Sequence, residues 1–206
     1  MCEFIRLNYS KLRFAAFFTW LLFGFLISIG MVFYLTNDKS VTFLWGILIT
    51  LFYTTITTSL VLAVAVIFGG YEFTRKKKVF GQPQWDSFFS RHDFQTIKLY
   101  QHTRWLLTEE VKTGFIKSFP VLADIKRDKA GYVQFMYFIE PASIEKERFK
   151  QLKQLLKKYN GAFEVGFLCK RLKRDNKLSE AQIDQELYEF ADVLLKEGFI
   201  PKGREH

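Results

Sequence analysis

The chain has 206 residues, with 30 Lys or Arg against 21 Asp or Glu for a formal net charge of +9, and a mean hydropathy of +0.01. Its two cysteines, Cys2 and Cys169, exclude a disulfide-stapled scaffold, and its three histidines leave little from which to build a metal site. The average hydropathy conceals a split: between Phe14 and Tyr71 the only charged residues are Asp38 and Lys39, whereas from Glu72 onward charge is dense.

The uncharged run Phe14 to Leu35 is long enough, at about 1.5 Å per helical residue, to cross a hydrocarbon core roughly 30 Å thick. It lacks the short apolar core and cleavage site of a signal peptide, and a second apolar run, Val41 to Tyr71, begins six residues after it ends. The polar turn 36–40 between them predicts a membrane helical hairpin. Thirty-one residues in the second span exceed one vertical crossing, so that helix tilts or emerges at one end. Arg6, Lys11 and Arg13 before the first span, and Arg75, Lys76, Lys77 and Lys78 after the second, place residues 1–13 and the C-terminal part in the cytoplasm, with the loop outside. The same Arg75–Lys78 cluster is suited to anionic headgroups of membrane lipid.

In the second span Gly46, Thr50, Thr54 and Thr58 recur every four residues, a stripe open to two readings. It packs against Gly24 and Ser28 of the first span, as small residues do between membrane helices, or it lines a narrow gateable path on the axis of a homo-oligomer. The absence of charge inside either span argues against a pump, proton relay or voltage sensor.

Residues 72–95 read as a juxtamembrane linker, within which Gln82 to Phe94 is a short helix or linker leaving the membrane, and residues 96–206 as an α+β domain. Three β-rich stretches, Arg104 to Val111, Phe115 to Ile125 and Tyr132 to Ile139, are separated by turn-forming Lys112–Gly114 and Asp128–Gly131, which predicts an antiparallel meander. A helix over Ile144 to Tyr159 follows, with Asn160-Gly161 as a left-handed stop. Ala162 to Leu172 alternates as a strand, with Cys169 on its apolar side as a small core residue. Ser179 and Gln182 form a capping box for a last helix whose stripe is Ile183, Leu187, Phe190, Ala191, Leu194 and Leu195, ended by Gly198 and Pro201. The expected fold is thus a two-span α-helical hairpin plus an antiparallel sheet backed by two helices.

Residues 144–177 hold eleven Lys or Arg against four Asp or Glu. Lys146, Lys150, Lys153 and Lys157 form a stripe on the first helix of this domain, joined by Lys170, Arg171, Lys173, Arg174 and Lys177, and of these Lys150, Lys153, Lys157, Lys170, Arg171, Lys173 and Arg174 are the candidate ligand residues. Such a concentration suits an anionic ligand, a nucleotide or oligonucleotide among them, but also fits headgroups or a solvated face. No Gly-rich phosphate loop, Cys-x-x-Cys, His-Glu-x-x-His or Gly-x-Ser-x-Gly occurs, so neither enzyme, cofactor nor metal is expected.

Two short spans (Phe14 to Leu35, Val41 to Tyr71), no intramembrane charge and a small basic domain resemble, in layout alone, the two-transmembrane effectors of bacterial anti-phage systems. That resemblance implies a homo-oligomer of the bacterial inner membrane, often a tetramer, in which a nucleotide or oligonucleotide on the cytoplasmic domain gates permeability. A membrane scaffold subunit of a secretion or conjugation complex has the same layout.

Overall fold

A computed structural model describes residues 1–37, 42–125, 131–140, 146–164, 167–174 and 178–203. The chain divides into two compact units, one of Met1–Thr74 with Tyr100–Glu109 and one of Arg75–Leu99 with Glu110–His206.

The first unit is built on two long helices, α1 (Cys2–Asn37) and α2 (Phe43–Phe80, the part up to Thr74). They are mainly Leu, Ile, Phe, Ala and Thr, and they pack antiparallel through small residues on both helices. A Cβ at Gly46 would lie 3.0 Å from Leu35, and one at Gly24 would lie 3.6 Å from Thr54. At the other end Gly69 stands directly against the Phe4 ring and Gly70 against Met1. The opposite sides of both helices carry large open apolar side chains. Thr36 and Asn37 remain helical, and Asp38 to Ser40 of the expected turn lie outside the described residues.

Tyr100–Thr108 also belongs to this unit, which corrects the strand expected over Arg104 to Val111. The apolar residues Trp105, Leu106 and Leu107 imitate a strand pattern, but the segment lies along α1. Asn8 donates to the Thr108 carbonyl at 3.3 Å and accepts from the Thr108 N–H at 2.6 Å. Lys11 Nζ donates to the carbonyls of Leu106, at 2.7 Å, and Tyr100. The Trp105 ring meets Phe14 and Phe18 edge-on, at 5.1 and 5.2 Å between centroids.

The second unit begins with the last turns of α2, then α3 (Pro83–Arg91), started by Pro83 after Gln82. A six-stranded antiparallel sheet follows: β1 (Gln95–Leu99), β2 (Glu109–Ile116), β3 (Phe119–Asp124), β4 (Tyr132–Phe138), β5 (Gly161–Glu164) and β6 (Phe167–Lys173), in spatial order β1-β2-β3-β4-β6-β5. Two helices complete it, α4 (Lys146–Lys158) and α5 (Glu180–Lys196).

Period-two alternation gives the sheet two unlike faces. Val121, Ala123, Phe135, Tyr137 and Leu168 pack with Trp85 and Phe88 of α3, Leu152 and Leu156 of α4, and Leu187 and Phe190 of α5 in one core. On the opposite face Val111, Leu122 and Met136 form a small separate cluster. Tyr137 ties the sheet to α5 by donating to the Leu187 carbonyl at 2.9 Å, and its burial raises the phenol well above the usual tyrosine value.

Several sequence expectations are corrected. Among the described residues three helices rather than two cover the sheet, because Trp85, Phe88 and Phe89 make the short α3 part of the core. Lys112 to Gly114 is strand interior, paired with Ala123, Leu122 and Val121. Gly114 is there for space: a Cβ on it would lie 2.5 Å from the Phe94 ring. The turn falls instead at Lys117, in the left-handed region at φ 53°, so Phe115 to Ile125 is a hairpin and not one strand. Ala162 to Leu172 is likewise two paired strands, β5 and β6, with Val165 outside the described residues. The Asn160 stop stands at φ 53°, and the capping box of α5 is present, with Gln182 N–H donating to Ser179 Oγ at 3.3 Å. Asp128 to Ala130 and the first residues of the expected helix, Ile144 and Glu145, lie outside the described residues.

Candidate functional site

The stripe Gly46, Thr50, Thr54 and Thr58 is turned toward α1. Gly46, Thr54 and Thr58 are buried and Thr50 is half-buried. Thr50 donates back to the Gly46 carbonyl at 2.9 Å, whereas the hydroxyls of Thr54 and Thr58 have no hydrogen-bond partner among the described residues. Of the two expected contacts on α1, Gly24 meets Thr54, while Ser28 is exposed and donates to the Gly24 carbonyl. Thr55 and Ser59 are exposed on the open side of α2.

Arg75, Lys76, Lys77 and Lys78 occupy the last turns of α2, where cations complement the helix dipole. They are not equivalent. Lys77 and Lys78 are exposed and Arg75 is half-buried, but Lys76 is buried and pairs with Asp124 at 2.7 Å.

The basic residues expected to act together are separated by the sheet. Lys150, Lys153 and Lys157 are exposed along α4, at intervals of three and four that set neighbouring ammonium groups on one face. Lys170 and Arg171 are sequence neighbours on β6 and therefore point to opposite faces. Lys170 is 1% exposed on the helix side, where it pairs with Glu186 of α5 at 2.5 Å and lies 5.8 Å from the Phe190 ring centre. Arg171 is half-buried and Lys173 exposed on the other face, with half-buried Arg174 following at the strand end. Lys177 lies outside the described residues.

On that other face the register sets Asp124, Gln134 and Arg171 side by side across β3, β4 and β6. Gln134 is fully buried, and its Nε2 and the Nε of Arg171 have no hydrogen-bond partner among the described residues. With Lys76 on Asp124, this is a polar row of two cations and one carboxylate. The spacing alone held no sign of it, since Gln134 reads as an ordinary strand residue and Asp124 as a strand end.

The structure also joins groups that looked isolated in sequence. His92 Nε2 lies 2.6 Å from Asp184 Oδ1, Arg91 reaches Asp184 at 2.9 Å and Glu180 at 2.5 Å, and Ser87 donates to Glu180 at 2.6 Å. These contacts close α3 onto α5, each polar group being used on its neighbour. Elsewhere a line of exposed ammonium groups runs along α4, and the face bearing Arg171 and Lys173 presents a smaller set of cations. Comparison with family models, curated proteins and solved structures finds no match to the chain.

Proposed function

We propose that the protein is a two-span integral membrane protein that acts as a non-conducting anchor, holding its α+β domain on the cytoplasmic side of a bacterial inner membrane, where the α4 lysines meet an anionic partner. The observation that carries this reading is the surface of α1 and α2. Phe25, Phe33 and Leu44 are 66, 68 and 67% exposed, and other large apolar side chains lie open along both helices. Soluble monomers rarely expose apolar patches beyond a few hundred Å². Lipid is the solvent such a surface suits, and a helix pair that satisfies its own backbone is a form that can enter it. The basic flanks supply the orientation.

A nucleotide-gated homo-oligomeric channel with a role in anti-phage defence draws support from the layout. The inward-facing Thr stripe works against it, because Gly46, Thr50, Thr54 and Thr58 are spent on α1 and an oligomeric path would need another lining. The anchor reading asks for nothing beyond the helix pair.

Alkaline carbonate extraction, and labelling of Lys39→Cys in a Cys2→Ser background by a membrane-impermeant maleimide, test the topology. The expected results are retention in the membrane pellet and labelling in intact cells; release by carbonate removes the membrane reading. Vesicles containing the purified protein should hold an ion gradient with and without added oligonucleotide. A nucleotide-dependent leak would replace the anchor by the channel.

A further inference from the structure

We propose that Tyr100–Thr108, the connection between β1 and β2, is a third membrane contact, an interfacial anchor whose Trp105 and Leu106 enter the lipid beside the N-terminal end of the α1 span. This inference rests on the membrane reading above and extends it to a segment with no span-like sequence.

Trp105 and Leu106 are 69 and 50% exposed, in a segment that is firmly attached. Its attachments climb one face of α1 in order: Asn8 holds Thr108, Lys11 holds the carbonyls of Leu106 and Tyr100, and Phe14 and Phe18 flank the Trp105 ring. Lys11 to Phe18 is about 10 Å along a helix at 1.5 Å per residue. Trp105 therefore lies alongside the uncharged run that begins at Phe14, at the boundary between the basic N-terminal residues and the apolar surface of the helices. An indole, apolar in body and polar at one edge, is the side chain enriched at that depth.

The polar attachments point the same way. In water, the carbonyls of a surface loop are solvated at no cost, and a buried lysine dedicated to two of them has little to offer. Beside lipid, irregular backbone must find its partners within the protein. Lys11, 7% exposed, and Asn8, fully buried, supply them. Arg13 and Arg104 are exposed near the same end of the helix, with charges suited to headgroup phosphates. The apolar surface of Trp105 and Leu106 is continuous with that of Phe14 and Phe18, so one lipid environment covers both.

Spin labels on the full chain in phosphatidylethanolamine and phosphatidylglycerol vesicles test this, in a Cys2→Ser background with Cys169 left buried. Labels at Leu106→Cys, Phe25→Cys and Lys98→Cys are compared for collision with oxygen, which enters lipid, and with a water-soluble nickel chelate. Leu106 should resemble Phe25, with a several-fold higher ratio of oxygen to nickel collision than Lys98. If Phe25 is lipid-like but Leu106 matches Lys98, the anchor is wrong while the span survives. If Phe25 is itself nickel-accessible, the membrane reading fails and the anchor with it. A Leu106 label immobilised and hidden from both reagents means that protein, such as a second copy of the chain, covers the site, and this also overturns the proposal. A second measurement, which leaves Leu106 in place, uses bromine-labelled lipids. Quenching by bromines near the carbonyl end of the acyl chain should fall on replacing Trp105 by Phe, and an unchanged loss of signal counts against the anchor.

Discussion

Asn8 and Thr108 are one hundred residues apart and exchange two hydrogen bonds, the Asn8 amide giving a proton to the Thr108 carbonyl at 3.3 Å and taking one from its N–H at 2.6 Å. Both residues are buried. One carboxamide thus replaces the backbone partners that strand pairing would have given this end of the segment. Asn8→Ala leaves two buried groups of Thr108 unpaired, at about 1–3 kcal/mol for each group stranded. The expected result is faster tryptic cleavage after Arg104, which is exposed in the same segment. Asn8→Asp keeps the acceptor and should fall between the two. Equal cleavage rates in all three proteins would mean that the pair does not hold the segment.

The glycines of the helix pair should respond differently to the same added methyl group. At Gly69 it meets the Phe4 ring directly, whereas at Gly24 it finds ordinary contact with Thr54 at 3.6 Å. Gly69→Ala is expected to cost about 1–3 kcal/mol by overpacking, while Gly24→Ala should be close to neutral. Adding Phe4→Ala to Gly69→Ala should recover part of the loss by making room. Unfolding in detergent, followed by circular dichroism, ranks the variants, and similar values for the two glycines would contradict the packing described.

Thr54 separates packing from conduction. Its hydroxyl is buried and without a partner among the described residues, so Thr54→Val, of similar shape, should hold or raise stability. Thr54→Leu adds volume against Gly24 and should lower stability by about 1–3 kcal/mol. Thr55→Leu, on the open side of α2, should change little. A channel lined by this stripe would give a different pattern, with Thr54→Leu blocking flux while the helix pair stayed as stable as before.

Lys170 and the α4 lysines should part company in both stability and binding. Lys170→Met is expected to be neutral within about 1 kcal/mol, since the methionine fills the space of the buried lysine stem and the Glu186 carboxylate it leaves, 47% exposed, can be solvated. Lys170→Ala should cost about 2–4 kcal/mol through the cavity it opens. Neither should alter retention of the full-length protein on heparin or a single-stranded oligonucleotide. Reversing Lys150, Lys153 and Lys157 to Glu should abolish that retention, and the wild-type interaction should weaken steeply between low and moderate salt. Retention that survives the triple reversal but is lost with Arg171→Ala would move the anionic surface to the other face of the sheet.

What could be read from the sequence, and what could not, follows from the range of the interactions involved. The last helix was legible because its capping box, apolar stripe and stop are all local, although Leu195, expected in that stripe, is 41% exposed. The two long helices were legible from composition, whereas the spacing of the small residues on α2 marked a stripe without deciding which way it faces. Gly114 misled because a glycine serves turns and close approaches equally well, and only Phe94, distant in sequence, distinguishes them. Trp105 to Leu107 misled because their partner is a helix ninety or so residues earlier. The basic patch was legible as composition but not as a surface: consecutive residues on a strand face opposite ways, which divides Lys170 from Arg171.

The strand lengths bear on how copies of the chain can associate. The outer strands of the sheet, β1 and β5, have five and four residues, against six to eight for the four between them. A short margin offers few unpaired N–H and C=O groups to an incoming chain, and Lys98 in β1 adds a charge that a foreign strand would have to accommodate. Growth of the sheet from molecule to molecule is therefore disfavoured at both margins. High local concentrations of the chain therefore carry little risk of fusing neighbouring sheets into fibrils.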